Sequence, residues 1–219
     1  MSNMKNMQNM RTVTDLCENP AHFAFVEKKS EFISDACHIS SAEEALEFVE
    51  SIRMIHPKAR HVAYAAIYAD KNGRLCERMS DDGEPSGTAG KPILDVIRSS
   101  NVVDTVVTVT RYFGGILLGS GGLIRAYSAS AAGAIKSSKI ADIVECNCFS
   151  CKVEYSHLRM FKHLLLKNNA EIISEEYGVS IELTVSLPRE ESDRFLEAVK
   201  NTFSGVIIPD FCGVCTRIC

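Results

Sequence analysis

Residues 80–94 read SDDGEPSGTAGKPIL and residues 110–128 read TRYFGGILLGSGGLIRAYS. The first stretch sets Asp81, Asp82 and Glu84 in one turn with Gly83, Pro85 and Gly87. Thr88 then stands where it can cap a helix through Ser100, and Pro92 is tolerated in that helix's first turn. Residues 102–110, VVDTVVTVT, form a β-branched run of strand length, expected as one central strand. After the glycines at 114, 115, 119, 121 and 122, the segment LIRAYSASAAGAIKSS reads as a helix whose small residues allow close packing on a sheet. Turn, helix, strand, glycine loop and helix together set a mixed α and β fold class.

Toward the N-terminus, SAEEALEFVESI offers Ser41 and Glu44 as a capping box, with Ala45, Val49 and Ile52 at helical spacing. Residues 61–69 and 74–79 flank Asn72-Gly73 and predict a hairpin. Residues 1–15 lack periodicity and read as a loose tail. Toward the C-terminus the pattern predicts strand 143–154, helix 157–168, strand 170–176, strand 179–186, helix 189–202 and strand 205–211 or beyond. Ser156 is the expected N-cap of the first of these helices, Pro188 precedes the second, and Tyr177-Gly178 turns between strands. This β-α-β-β-α-β order is the split-βαβ, ferredoxin-like arrangement. Two closely joined domains are expected, 1–138 and 139–219, in an α+β fold.

Composition narrows the function. Apolar residues at 46% and charged residues at 24% suit a folded globular protein rather than a disordered one. The polar start MSNMKNMQNMR carries no secretory apolar run, and no stretch reaches membrane-span length. A cytoplasmic protein without membrane association is expected, its nine cysteines held as thiols. The net charge is −4, and only residues 80–140 are net positive, with six Lys/Arg against five Asp/Glu. Any polyanion contact therefore rests on a local patch.

Two readings of the acidic turn stand side by side. Asp81, Asp82 and Glu84 supply hard oxygen ligands for a divalent cation or a general base; alternatively they pair with Arg111 and cap the turn. The second stretch places Arg111 and Arg125 around Gly114 and Gly115 at a helix start, where backbone N–H groups and the helix dipole favour an anion. Lys91 joins them as a candidate phosphate contact. No Walker A loop, GxGxxG, HExxH or nucleophile elbow occurs. Cys148–Cys151 and Cys212–Cys215 form two CxxC pairs on strands that neighbour each other in a ferredoxin-like sheet. Packing is their default, because residues three apart on a strand face opposite sides, and the alternative is a tetrahedral thiolate site for zinc. His56 and His61 bracket a Pro-Lys-Ala-Arg loop, read as a solvated turn.

The motifs DDGEPSGTAG (81–90), RYFGG (111–115) and LGSGGLIRAY (118–127), with HPKARH (56–61) and KKSEF (28–32), resemble the IMPACT/YigZ family. Lys29 stands where that family more usually has glycine. The resemblance covers residues 20–205. It implies an N-terminal domain like elongation factor G domain IV and a C-terminal domain like that factor's domain V. It further implies contact with RNA or the ribosome or, in eukaryotic IMPACT proteins, control of translation through a partner protein. The RWD domain of those eukaryotic proteins has no counterpart in these residues, so that regulatory role is not carried over with the fold.

The expected function is non-enzymatic binding of nucleic acid or the ribosome by Lys91, Arg111, Gly114, Gly115 and Arg125. Asp81, Asp82, Glu84 and Thr88 form the adjacent functional loop. The alternatives are a hydrolase built on Asp81, Asp82 and Glu84 with Arg111, and a protein-binding translational regulator. No cofactor and no resident metal are expected.

Overall fold

The structure is a computed structural model that describes residues 10–70 and 72–219. The chain divides into two units, one ending at Asp142 and the other running from Ile143 to Cys219. The fold is mixed α+β, with five α-helices and two sheets among the described residues.

The first unit is organised around β2 (Ala21–Glu27), β3 (Ser30–His38), β4 (His61–Ala69), β5 (Leu75–Ser80) and β7 (Thr105–Tyr112), in the order β2-β3-β7-β4-β5. Every neighbouring pair in this sheet is antiparallel. The connections β3 to β4 through α1 (Ala42–Ile55) and β5 to β7 through α2 (Gly90–Ser99) each skip one strand. Both faces of the middle strands are therefore covered. Cys37, Val62, Ala66, Tyr68 and Val106 pack under α1 with Ala45, Phe48, Val49 and Ile52. On the other face Ser34 donates to the Ser130 carbonyl of α3 (Ser120–Ser137) at 2.9 Å, which draws that small-residue helix onto the sheet.

In the second unit β8 (Ile140–Val153), α4 (Tyr155–Lys167), β9 (Glu171–Tyr177), β10 (Ile181–Pro188), α5 (Ser192–Phe203) and β11 (Asp210–Ile218) realise the ferredoxin-like order. Residues 143–153 of β8 lie between β11 and β10, and β10 pairs with β9, all antiparallel. Alternation puts Phe149, Cys151 and Val153 of β8 against Phe161, Leu165, Phe195 and Val199 of the two helices.

Several expected boundaries move, each for a local reason. Arg11–Val13, placed in the loose tail, is strand β1, parallel to β6 (Val102–Val103) and antiparallel to residues 140–142. Residues 1–9 of that tail lie outside the described residues. The run 102–110 is not one strand, because Asp104 adopts φ +49° and breaks it between β6 and β7, its carboxylate accepting from Ala69 N–H at 2.8 Å. Helix α4 opens one residue before Ser156, with Glu154 at the cap position. The last strand begins at Asp210 rather than 205. The capping box holds on one side: Glu44 N–H donates to Ser41 Oγ at 3.2 Å, while the Glu44 carboxylate takes the N–H of Ser40.

The β2–β3 hairpin turns on two residues, Lys28 at φ +46° and Lys29 at φ +65°. Positive φ at both central positions is the twist-matched hairpin turn, which favours glycine or asparagine. A Cβ in the left-handed region costs about 1 kcal/mol or more. Lys29→Gly should thus raise stability by about 1 kcal/mol, less the entropy that glycine adds to the unfolded chain. Denaturant titration checks this, and a lower midpoint would show that the turn is not strained.

Candidate functional site

The acidic turn follows β5 and crosses the ends of β4 and β7. Asp82 at φ +46° and Gly83 at φ +82° bend it sharply enough to send its three carboxylates in different directions. Asp81 accepts N–H groups from Gly87, Ala89 and Gly90 at 2.8, 3.0 and 2.8 Å, so it caps α2 from across the loop. Thr88, the expected cap, instead donates its hydroxyl to the Pro85 carbonyl at 2.6 Å, and Ala89 occupies the cap position. Burial pushes the Asp81 carboxyl up, but the three N–H groups outweigh it and leave the group below its ordinary value.

Asp82 reaches the α1 side. It takes a two-pronged contact from Arg53 at 2.9 and 2.7 Å and the N–H of Val62 at 2.6 Å. Burial opposes its ionisation; Arg53, Val62 and His61 overcome that and hold Asp82 below the ordinary carboxylate range. His61, expected in a solvated turn, has its Nδ1 2.8 Å from the Asp82 carbonyl, and His56 Nδ1 lies 3.1 Å from the Tyr112 hydroxyl.

Glu84 points into the opposite helix layer. Its Oε1 accepts from Arg111 Nη1 at 2.7 Å and from the Tyr127 hydroxyl at 2.9 Å. The two charged side chains are 7% and 3% exposed. Arg111 is held between the rings of Phe32 and Phe113, 5.5 Å from each centroid. Its Nη2 lies 3.4 Å from Ser30 Oγ, which also receives the Gly114 N–H at 3.2 Å. Burial and the Glu84 charge push the Tyr127 phenol far above its ordinary value, so it stays a donor.

Of the two readings of the acidic turn, this arrangement matches the one in which its carboxylates pair with Arg111 and cap the turn. Arg111 is not offered to an outside phosphate, because Glu84 neutralises it inside the fold. Lys91 is paired with Asp95 one turn along α2. Gly114 serves a close approach: a Cβ there would sit 1.9 Å from the Lys29 carbonyl oxygen. Both oxygens of Asp81 and of Asp82, and Oε1 of Glu84, already serve partners within the fold.

What remains outward is a second cluster. Gly119 precedes α3 at φ +72° without a side-chain cap, and Gly115 at φ +84° opens the loop before it. Arg125 is exposed and lies back over that helix start, its Nη1 4.0 Å from where a Cβ of Gly121 would be. A cavity of about 250 Å³ beside it is lined in part by Glu27, Lys28, Leu118, Gly122 and Arg125. Among the described residues no carboxylate pairs with Lys28, Lys29 or Arg125. Leu117 is 82% and Phe113 50% exposed on the same loop.

The four cysteines of the two pairs do not gather at one point, although Cys148 and Cys215 are hydrogen-bonded across the strands. Cys151 enters the helix-facing core, whereas Cys148 lies on the other face of β8 opposite Gly213, and Cys146 opposite Cys215. Burial first, then neighbouring thiols, push Cys148 up to about 12, and burial pushes Cys151 up to about 12. No group of three His, Cys, Asp or Glu among the described residues has the placement to hold a metal ion. None of the described helices is long and apolar enough to cross a membrane. Arg53, Tyr127 and Ser30 were not expected at the site; they lie 29, 43 and 54 positions from Asp82, Glu84 and Glu84, and no local pattern marks them.

Residues 28–135 match the Impact N-terminal domain, and residues 151–206 match a domain of unknown function, DUF1949. The chain is 39% identical to the IMPACT family member YigZ of Escherichia coli over 77% of this chain and 82% of that protein. It is 36% identical to an IMPACT family member of Haemophilus influenzae, covering 83% and 88% of the two chains. A crystal structure described as that of a hypothetical protein superposes with a TM-score of 0.69 at 32% identity, over 93% of this chain and 97% of that one.

Removing the charge of Glu84 should isolate the buried guanidinium. Glu84→Gln is expected to cost about 3 kcal/mol or more, the usual cost of breaking a buried pair. The aspartates add a pH signature. A carboxyl below its ordinary value binds a proton less readily folded than unfolded, so it stabilises the fold above about pH 4. That stability disappears as pH falls through the folded-state value. Asp82→Asn should therefore be destabilised at neutral pH and converge on the parent at low pH, as denaturant titrations across pH will show; a gap independent of pH would remove the electrostatic account.

Proposed function

The chain belongs to the IMPACT family, and from that premise we propose that it is a non-enzymatic protein that binds the phosphate backbone of single-stranded RNA, on its own or exposed on the ribosome. The observation carrying this reading is the division of labour among the charges. The acidic loop spends its carboxylates inside the first unit, whereas Lys28 and Arg125 line one cavity beside the start of α3 and Lys29 follows Lys28 in the adjoining turn, none of the three paired with a carboxylate among the described residues. Cations at a helix N-terminus are a phosphate site on general grounds.

The exposed loop residues fit the same ligand. Phe113 covers Arg111 with one face and leaves half its surface to solvent, and Leu117 projects beside it. Basic side chains beside an exposed ring suit single-stranded nucleic acid, whose bases stack without demanding a sequence. With a net charge of −4 spread over the rest of the chain, attraction is confined to this patch. Residence in the cytoplasm, where RNA and ribosomes are met, belongs to the same proposal.

Fluorescence anisotropy with a single-stranded RNA oligonucleotide tests it. Binding should weaken with salt, and each of Lys28→Ala, Lys29→Ala and Arg125→Ala should lower the slope of log K against log salt by about 0.7. Lys91→Ala should leave the slope unchanged, since Asp95 already engages that cation. Absence of binding, or a slope indifferent to all three changes, would remove the RNA reading in favour of a protein partner.

A further inference from the structure

Cys17 and Cys37 bring two sulfur atoms within 2.8 Å of each other at a place the proposed RNA surface does not use. Cys37 lies in β3 with no exposed surface, while Cys17, between β1 and β2, is half-buried against the α1 core. The backbone on each side is fixed. His38 N–H donates to the Asp15 carbonyl at 2.8 Å, Asn19 N–H to the Leu16 carbonyl at 3.0 Å, and Lys139 N–H to the Asp15 carboxylate at 2.7 Å. The two sulfurs therefore meet without rearrangement of the sheet. A groove of about 670 Å³ reaches Cys17 from solvent, lined in part by Leu16, His38, Phe48, Glu18, Glu44 and Glu47.

We propose that Cys17 and Cys37 are a peroxide-reactive dithiol, in which Cys17 is oxidised first and Cys37 resolves it to a reversible disulfide. The asymmetry between them assigns the roles. Only Cys17 meets the groove. The hydrogen bond from Cys37 draws the Cys17 thiol below its ordinary value against the opposing effects of burial, Glu18 and Glu44, whereas the same contact pushes Cys37 far up. The thiolate of Cys17 attacks one peroxide oxygen, forming S–O as O–O breaks, and the hydroxide released takes a proton to become water. Cys37 then gives up its proton as its sulfur displaces the hydroxyl of the Cys17 sulfenic acid; S–S forms, S–O breaks, and a second water leaves. Two thiols lose two electrons and the peroxide gains them.

The groove also selects the oxidant. Glu18, Glu44 and Glu47 put negative charge around the groove that reaches Cys17. A neutral peroxide enters such a groove, while anionic glutathione disulfide is repelled.

The test uses the full chain, fully reduced, treated with limiting hydrogen peroxide and mapped by peptide mass spectrometry. The expected product is a Cys17–Cys37 linked pair with the loss of two hydrogens, formed before oxidation of the exposed Cys212 and Cys219 and reversed by dithiothreitol. Cys37→Ser should instead accumulate one added oxygen at Cys17, trapped by dimedone, and glutathione disulfide should produce the link more slowly than peroxide. Oxidation at Cys212 or Cys219 while Cys17 stays a thiol would overturn the proposal. So would oxidised Cys17 that never links to Cys37, or a glutathione disulfide reaction as fast as that of peroxide.

Discussion

A guanidinium taken out of water requires a carboxylate within reach, and the first unit is arranged so that Arg111 has Glu84. Taking both ions from solvent costs several kcal/mol each, so the pair contributes little net stability compared with an apolar filling. Its effect is positional. Glu84 reaches Arg111 only if the acidic turn passes over the end of β7, and Tyr127 reaches the same oxygen only if α3 lies against that turn. Once the turn is there, Asp82 meets Arg53 of α1 and Asp81 meets the opening N–H groups of α2. One short loop thereby fastens three helices, each through a different carboxylate. The two helix layers on either face of the sheet are joined at its end by polar contacts, where no apolar core can extend.

The glycines answer the same requirement. A Cβ at Gly90 would meet the Ser80 backbone at 2.9 Å, and one at Gly114 would meet the Lys29 carbonyl. Gly90 is small because the acidic loop returns onto the end of β5, and Gly114 because the chain leaving β7 passes against the β2–β3 turn. The motifs that look most like chemistry are thus consumed in closing the fold, and the cations beside them are left out of that closure.

Much of the fold was legible in the chain. The second unit follows from alternating and helical periods, and Ser41 and Glu44 mark a helix start by their spacing alone. Arg111 was harder. It shares strand parity with Val107 and Val109, but β7 is covered on both faces, so alternation distinguishes two helix layers rather than inside from outside. The α2 cap was missed because Asp81 reaches Gly90 across nine residues, whereas a cap is sought next to the helix; Thr88, adjacent and of the right type, spends its hydroxyl within the turn. Arg53 and Tyr127 carry no signal because their partners are brought together only by the sheet order. The break at Asp104 is of another kind: a left-handed residue within a β-branched run is held there by its contact with Ala69, which the run itself does not contain.

The same constraint explains why the exposed cations stand where they do. The Lys29 carbonyl is packed over Gly114, and Gly114 is bonded to Ser30, so the strained Lys28-Lys29 turn is locked to the glycine loop that Arg111 anchors. Two lysines are thereby carried at the tip of a hairpin whose backbone cannot relax without disturbing the buried pair. Arg125, one turn into α3, is positioned through Tyr127 two residues later on the same helix, and Tyr127 is bonded to Glu84. The internal charges thus act as the mounting for the external ones. A carboxylate substituted inside this unit would alter the spacing of cations that it never touches, because the buried pair fixes the backbone that carries them.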